Sequence, residues 1–159
     1  MYGLQSCKKS NDGYLAIMST MSKIATRTAL RDEAILGQSL SMMLYGLRSN
    51  KFEQKESKEM LSYLHRTSIK RQEPLSAQAV GNAPYGLQGM SSDNAEVRSL
   101  VRALSGQVER CREPLSAQAV GNALYGLQGM SSDNAEVRSL VRALSGQVER
   151  CREIGRAHV

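Results

Sequence analysis

Residues 73–112 and 113–152 are one forty-residue unit written twice, with Pro84 against Leu124 as the single difference. A fixed period of this size constrains the fold more than any local motif. Each copy is a supersecondary unit that buries its apolar face only against a neighbouring copy. A diverged copy spans residues 33–72, where Gln38, Leu44, Tyr45, Gly46 and Leu47 precede Gln78, Pro84, Tyr85, Gly86 and Leu87 by forty positions. A partial copy, residues 1–32, opens with Tyr2-Gly3-Leu4-Gln5, which echoes Tyr45-Gly46-Leu47-Arg48 at a spacing of forty-three. The pattern predicts an all-α array, a right-handed α-solenoid of helix–turn–helix units.

Within a unit the first helix is expected from Ala77 to about Gly89. Ser76 is placed as its N-cap, and Leu75 and Val80 as a hydrophobic staple across the start. Winding the segment at 100° per residue puts Val80, Ala83, Leu87 and position 84 on one stripe. Met90-Ser91-Ser92 marks the break. Asp93 is expected to cap the second helix, with Glu96 three residues on in a capping box. That helix should reach about Cys111, since Val97, Leu100, Val101, Leu104, Val108 and Cys111 recur at spacings of three and four. Pro74 and Pro114 stop the second helix of the preceding unit. Pro84, inside the first helix, should kink or open it, whereas Leu124 should leave its copy straight.

The same template places Met60, Leu61 and Leu64 at the positions of Leu100, Val101 and Leu104. In the partial copy it places Tyr14, Ile17, Met18 and Met21 in the second-helix stripe, with three extra residues between Ala25 and Glu33. A single unit should not fold alone, because its apolar face is too small to offset the conformational entropy of forty ordered residues.

Charge is unevenly distributed. Residues 1–72 carry twelve Lys/Arg against six Asp/Glu and account for the whole net charge of +6. Each copy of the repeated unit balances four Arg against four acidic side chains. A basic balance points to nucleic acid or an anionic surface, here only through the diverged half. Scattered Lys8, Lys9, Lys51, Lys55, Lys58, Lys70 and Arg71 fit a solvated surface equally well. No apolar run is long enough to span a bilayer. Cys7 stands alone, and Cys111 and Cys151 are one position in successive copies; this spacing gives neither a zinc site nor a disulfide framework. Reduced thiols in an intracellular compartment are the expectation.

Both ends read as cut. Met1 aligns with Leu44 and Leu124, inside the first helix of a unit, so any targeting peptide is expected upstream. Residues 153–159 break the repeat after Glu153, and Ile154 to Val159 match the translation of a common sequencing adapter. This tail, His158 included, is expected not to be native.

Functional candidates lie on the face of the first helix opposite Val80. Gln78, Asn82, Tyr85 and Gly89 fall there in one copy, Gln118, Asn122 and Tyr125 in the next, and Gln38, Met42 and Tyr45 in the diverged unit. Stacked units would align them as a ladder. Amides that donate and accept, beside an aromatic ring, suit the edges and faces of unstacked bases, the logic of helical-repeat readers of single-stranded RNA. The plainer alternative is that Asn82 satisfies a neighbouring backbone and Tyr85 fills the gap between adjacent first helices. Gly81, Gly86 and Gly89, read as helix-interior glycines, favour close helix approach. Arg98 and Arg102, repeated as Arg138 and Arg142, lie one turn apart on the outer face of the second helix; they suit phosphate contact or a solvated surface. No catalytic constellation, metal site, cofactor site or small-molecule site is evident. His65 has no Cys, Ser or carboxylate locked to it by spacing.

Ala77-Gln78-Ala79-Val80-Gly81-Asn82-Ala83, continued as Leu124-Tyr125-Gly126-Leu127 in the last copy, resembles the octotricopeptide-type repeat. It also resembles related helical repeats in RAP-domain and FAST-kinase-like proteins. The resemblance covers residues 1–152, with a period somewhat longer than the family's usual one. It implies a non-enzymatic role in a chloroplast or mitochondrion, binding single-stranded RNA and acting in transcript stability, processing or translation. The alternatives are a protein–protein scaffold, since such arrays offer extended grooves to either partner class, and a truncated fragment with no function of its own.

Overall fold

The computed structural model describes residues 19–20, 23–24, 27, 37–47 and 55–157, with the backbone alone at 55–57 and 152–157. Every regular element among them is helical. In chain order these are α1 (Gly37–Leu47), α2 (Lys55–Lys70), α3 (Ala77–Tyr85), α4 (Ala95–Glu109), α5 (Ala117–Gly126) and α6 (Ala135–Ala157). Cys7, the basic Lys8, Lys9 and Lys51, and the stripe assigned to Tyr14, Ile17, Met18 and Met21 lie outside the described residues, as does the expected connection between Ala25 and Glu33 apart from Arg27, which is helical.

Like helices pack on like. The first helix of each unit packs on its counterparts, α3 on α1 and α5, and the second helices do the same, α4 on α2 and α6. The core follows the stripes. Val80, Ala83, Leu87, Val97, Leu100, Val101, Leu104, Val108 and Cys111 are buried, and so are Met60, Leu61 and Leu64 of the diverged unit. Leu75 and Val80, the two residues of the expected staple, are buried as well.

Close approach of the first helices depends on glycine. A Cβ on Gly81 would meet the Cα of Ala119 at 2.8 Å, and one on Gly86 would run into the backbone of Leu44 and Tyr45. Gly126 bears in the same way on the backbone of Pro84 and Tyr85. Gly89 has a different reason to be glycine: its φ of 78° is left-handed, a conformation that other residues adopt only at a cost.

Helix boundaries correct the sequence expectation in three places. The first helix ends at Tyr85 or Gly126 rather than near Gly89, so Gly86 is the C-cap of α3 and Gly89 lies in the following turn. Pro84 falls one residue before the end of α3, so its missing N–H is felt only in the last turn. The helix stops at Tyr85, whereas α5, with Leu124, continues to Gly126. Asn94, not Asp93, is the N-cap of α4: its Oδ1 accepts from the backbone N–H groups of Glu96 at 2.9 Å and Val97 at 3.3 Å. Asp93 is engaged one residue earlier, its carboxylate accepting from the Ser91 hydroxyl at 3.1 Å. Ser76 does cap α3, accepting from Ala79 N, and Ser116 repeats this at α5. The last helix, α6, runs past the end of the repeat into the tail as far as Ala157.

Candidate functional site

Stacking of α1, α3 and α5 carries the expected ladder onto one surface. Tyr45, Tyr85 and Tyr125 form a column, with ring centroids 5.3 Å and 5.7 Å apart and planes inclined by 19° and 23°. Beside it, Gln38, Met42, Gln78 and Gln118 are exposed, and Asn82 and Asn122 are half-buried. The side-chain amides of Gln38, Gln78, Asn82, Gln118 and Asn122 make no hydrogen bond among the described residues. Asn82 therefore serves no backbone group among the described residues. The tyrosines do fill the space between adjacent first helices, and the Tyr125 hydroxyl also accepts from Gln88 Nε2 at 3.4 Å. Offset stacking of this kind uses the ring faces inside the column. Gly89, left in the turn after α3, does not join the ladder.

The arginines are distributed differently from the sequence expectation. Arg98 turns back on the loop before its own helix, its Nη1 donating to the carbonyls of Ser92 and Asp93, each at 2.8 Å. Arg138 repeats this toward Ser132 O at 2.7 Å. Both satisfy loop carbonyls that the short break between helices leaves without helical partners. Arg102 reaches the next unit and pairs with Glu136 at 2.7 Å while staying 74% exposed. Its own backbone N–H, and then the Arg102 charge, hold the Glu136 carboxyl below its ordinary range against opposing desolvation. Arg142, one unit on, is exposed.

Four kinds of contact between units had no signature in the sequence. Gln107 and Gln147 are buried, although glutamine is usually a surface residue. Gln107 Nε2 donates to Ser68 O at 2.6 Å, and Gln147 Nε2 donates to Val108 O at 2.5 Å and Cys111 O at 3.3 Å. Arg110 donates to the carbonyls of Arg71 and Gln72, and Arg150 to that of Cys111 at 3.0 Å. Each second helix thus caps the C-terminal carbonyls of the second helix before it. Glu113 accepts from Ala77 N at 2.7 Å, setting a carboxylate at the positive end of α3. Ser92 is buried, its Oγ accepting from Ser131 N and Asn134 Nδ2, each at 2.9 Å.

Other chemistry is sparse. A shallow cavity of about 240 Å³ between α2 and α4 is lined by Ser62, His65, Ala95, Glu96 and Ser99. Burial, and then the neighbouring Arg66 charge, push His65 below its ordinary value, which favours the neutral ring. Burial pushes the Cys111 thiol up, the reverse of what a nucleophilic cysteine needs. Among the described residues no cluster of three or more His, Cys, Asp and Glu side chains could hold a metal, and no helix is long and apolar enough to cross a membrane. Comparisons with family models, with curated proteins and with solved structures each found no match.

Proposed function

We propose that the chain is part of a right-handed α-solenoid whose first-helix face binds single-stranded RNA without catalysis. The observation that carries this reading is the row of amides Gln38, Gln78, Asn82, Gln118 and Asn122, without a hydrogen bond among the described residues and in register beside the tyrosine column. Such amides can donate to and accept from base edges, at about one base per unit. Because the ring faces within the column are taken, a base would stack on the outer face of Tyr125. Tyr85, stacked on both faces, would then offer only its edge. Arg102 and Arg142 are the arginines placed for phosphate, since Arg98 and Arg138 are held by their loops. An organellar role in transcript stability, processing or translation follows from the octotricopeptide resemblance.

A second reading, a scaffold for protein partners, draws support from the same arginines. With Arg98 and Arg138 held by their loop carbonyls and Arg102 paired, units already balanced in charge have little left to attract a phosphate backbone. Crosslinking and equilibrium binding of the chain to single-stranded RNA separates the two. The RNA reading expects affinity to fall steeply between about 50 and 200 mM salt. It also expects a Gln78→Ala, Gln118→Ala, Tyr125→Ala variant to bind about tenfold more weakly or worse, with unchanged helix content. Absence of binding, or indifference to these changes, leaves the scaffold reading.

A further inference from the structure

The second helices meet at two junctions, and the repeat allows the two to be compared position by position. Where α4 meets α6, Arg102 donates to the Glu136 carboxylate at 2.7 Å, and the hydroxyls of Ser105 and Ser139 lie 2.9 Å apart. Where α2 meets α4, the residues forty positions earlier are Ser62, Glu96, His65 and Ser99. The carboxylate and the serine contributed by α4 are the same as those contributed by α6. On the facing helix, α2 has serine where α4 has arginine, and histidine where α4 has serine.

That exchange leaves both space and an unmatched charge. Ser62, His65, Glu96 and Ser99, with Ala95, line the cavity of about 240 Å³. None of the four makes a side-chain hydrogen bond or ion pair among the described residues, and neither Lys58 nor Arg66 of α2 pairs with Glu96. Glu96 is half-buried. A carboxylate that has lost part of its hydration gains from a cation that donates hydrogen bonds to it. The two serine hydroxyls add acceptors beside it. Burial favours the neutral His65 ring, which contributes an acceptor nitrogen and no charge. The cavity is smaller than the ~300–1,000 Å³ of sites that enclose a whole drug-sized ligand, so its occupant is on the scale of one side chain.

We infer that the cleft between α2 and α4 binds an arginine side chain presented by a protein partner, its guanidinium taking the place on Glu96 that Arg102 takes on Glu136. Guanidinium suits the cleft better than ammonium, because its planar fork of donors reaches a carboxylate and flanking hydroxyls together. The neighbouring junction supplies the chemical precedent within the same molecule: an identical carboxylate, at the same position of an identical helix, already holds this group. The site belongs to the second helices, so it stands whether or not the ladder on the first helices binds RNA. Nucleic acid, which brings phosphate rather than a cation, is not its ligand.

The test titrates the full chain with Nα-acetyl-arginine amide, followed by the backbone amide NMR shifts of residues 62–66 and 95–99. Saturable binding with a Kd of about 1–10 mM is expected for a ligand of this size. The citrulline analogue, alike in shape but uncharged, should bind about tenfold more weakly or worse. Glu96→Gln keeps the side-chain volume and should weaken binding about three- to tenfold. Glu136→Gln, at the junction already filled, should leave it unchanged. Ser62→Arg gives α2 the arginine of the next junction; it should abolish binding without lowering the urea unfolding midpoint. No saturable shift in the unmodified chain, equal binding of the citrulline analogue, or binding that survives both Glu96→Gln and Ser62→Arg overturns the assignment. Tighter binding of free arginine than of the blocked form overturns it as well, by making the ligand a small molecule rather than a side chain.

Discussion

Gly126 and Gly121 occupy one helix and answer opposite demands. Gly126 sits where the backbones of α3 and α5 nearly touch, so a methyl group there forces the helices apart. Gly121 faces open space, so it keeps the helix-destabilising cost of glycine without a packing return. Gly126→Ala is expected to lower stability by about 2 kcal/mol or more, and Gly121→Ala to raise it by up to ~1 kcal/mol. Urea unfolding midpoints of the two variants should therefore move in opposite directions; a shared direction would mean that α3 and α5 do not touch at Gly126. The close-approach role of Gly81 and Gly86 was legible in the sequence because a glycine inside a helical pattern wants a reason. The choice between Asp93 and Asn94 as cap was not, since adjacent residues of equal capping chemistry are separated only by where the backbone enters the helix. Arg98 was misplaced for a similar reason. Spacing shows which face a side chain leaves from, not the loop carbonyls it folds back to reach.

Helix ends are where successive elements bind one another. The N-caps of α3 and α5 are local, from Ser76 and Ser116, and so were readable from the residues beside them. The C-terminal carbonyls of α2 and α4 are satisfied instead by side chains roughly forty positions later, with Gln107 and Arg110 serving α2, and Gln147 and Arg150 serving α4. Backbone acceptors carry no residue signature, so nothing in the chain advertised these clamps. Replacing Gln147 by Leu keeps the approximate volume but removes the buried amide donor shared by the carbonyls of Val108 and Cys111, which keep only the Cys111 N–H and Arg150 respectively. That is expected to cost about 1–3 kcal/mol. Gln118→Leu, on the exposed ladder, should change stability by no more than ~0.5 kcal/mol. Chemical unfolding of the pair measures the difference, and equal effects would show that the buried amide does no capping.

Equal sequences with unequal neighbours make the molecule its own control. Residues 95–109 and 135–149 are identical in sequence and alike in helix propensity, so any difference in their stability comes from packing alone. Helix α4 is enclosed between α2 and α6, and its Val101 is fully buried; α6 has α4 on one side only, and its Val141 is 39% exposed. The repeat in the sequence announced that units stack, because a period of forty with two apolar stripes has no other way to bury both. It could not announce which copy would be the enclosed one in water. Amide hydrogen exchange resolves this residue by residue, since protection tracks the free energy of local opening. The amides of residues 98–108 are expected to exchange about tenfold or more slowly than their counterparts at 138–148, although the two segments would be indistinguishable as free peptides. Matching exchange rates in the unmodified chain would mean that the stability of a unit is set within the unit. In that case the dependence of each helix pair on its neighbour would fail.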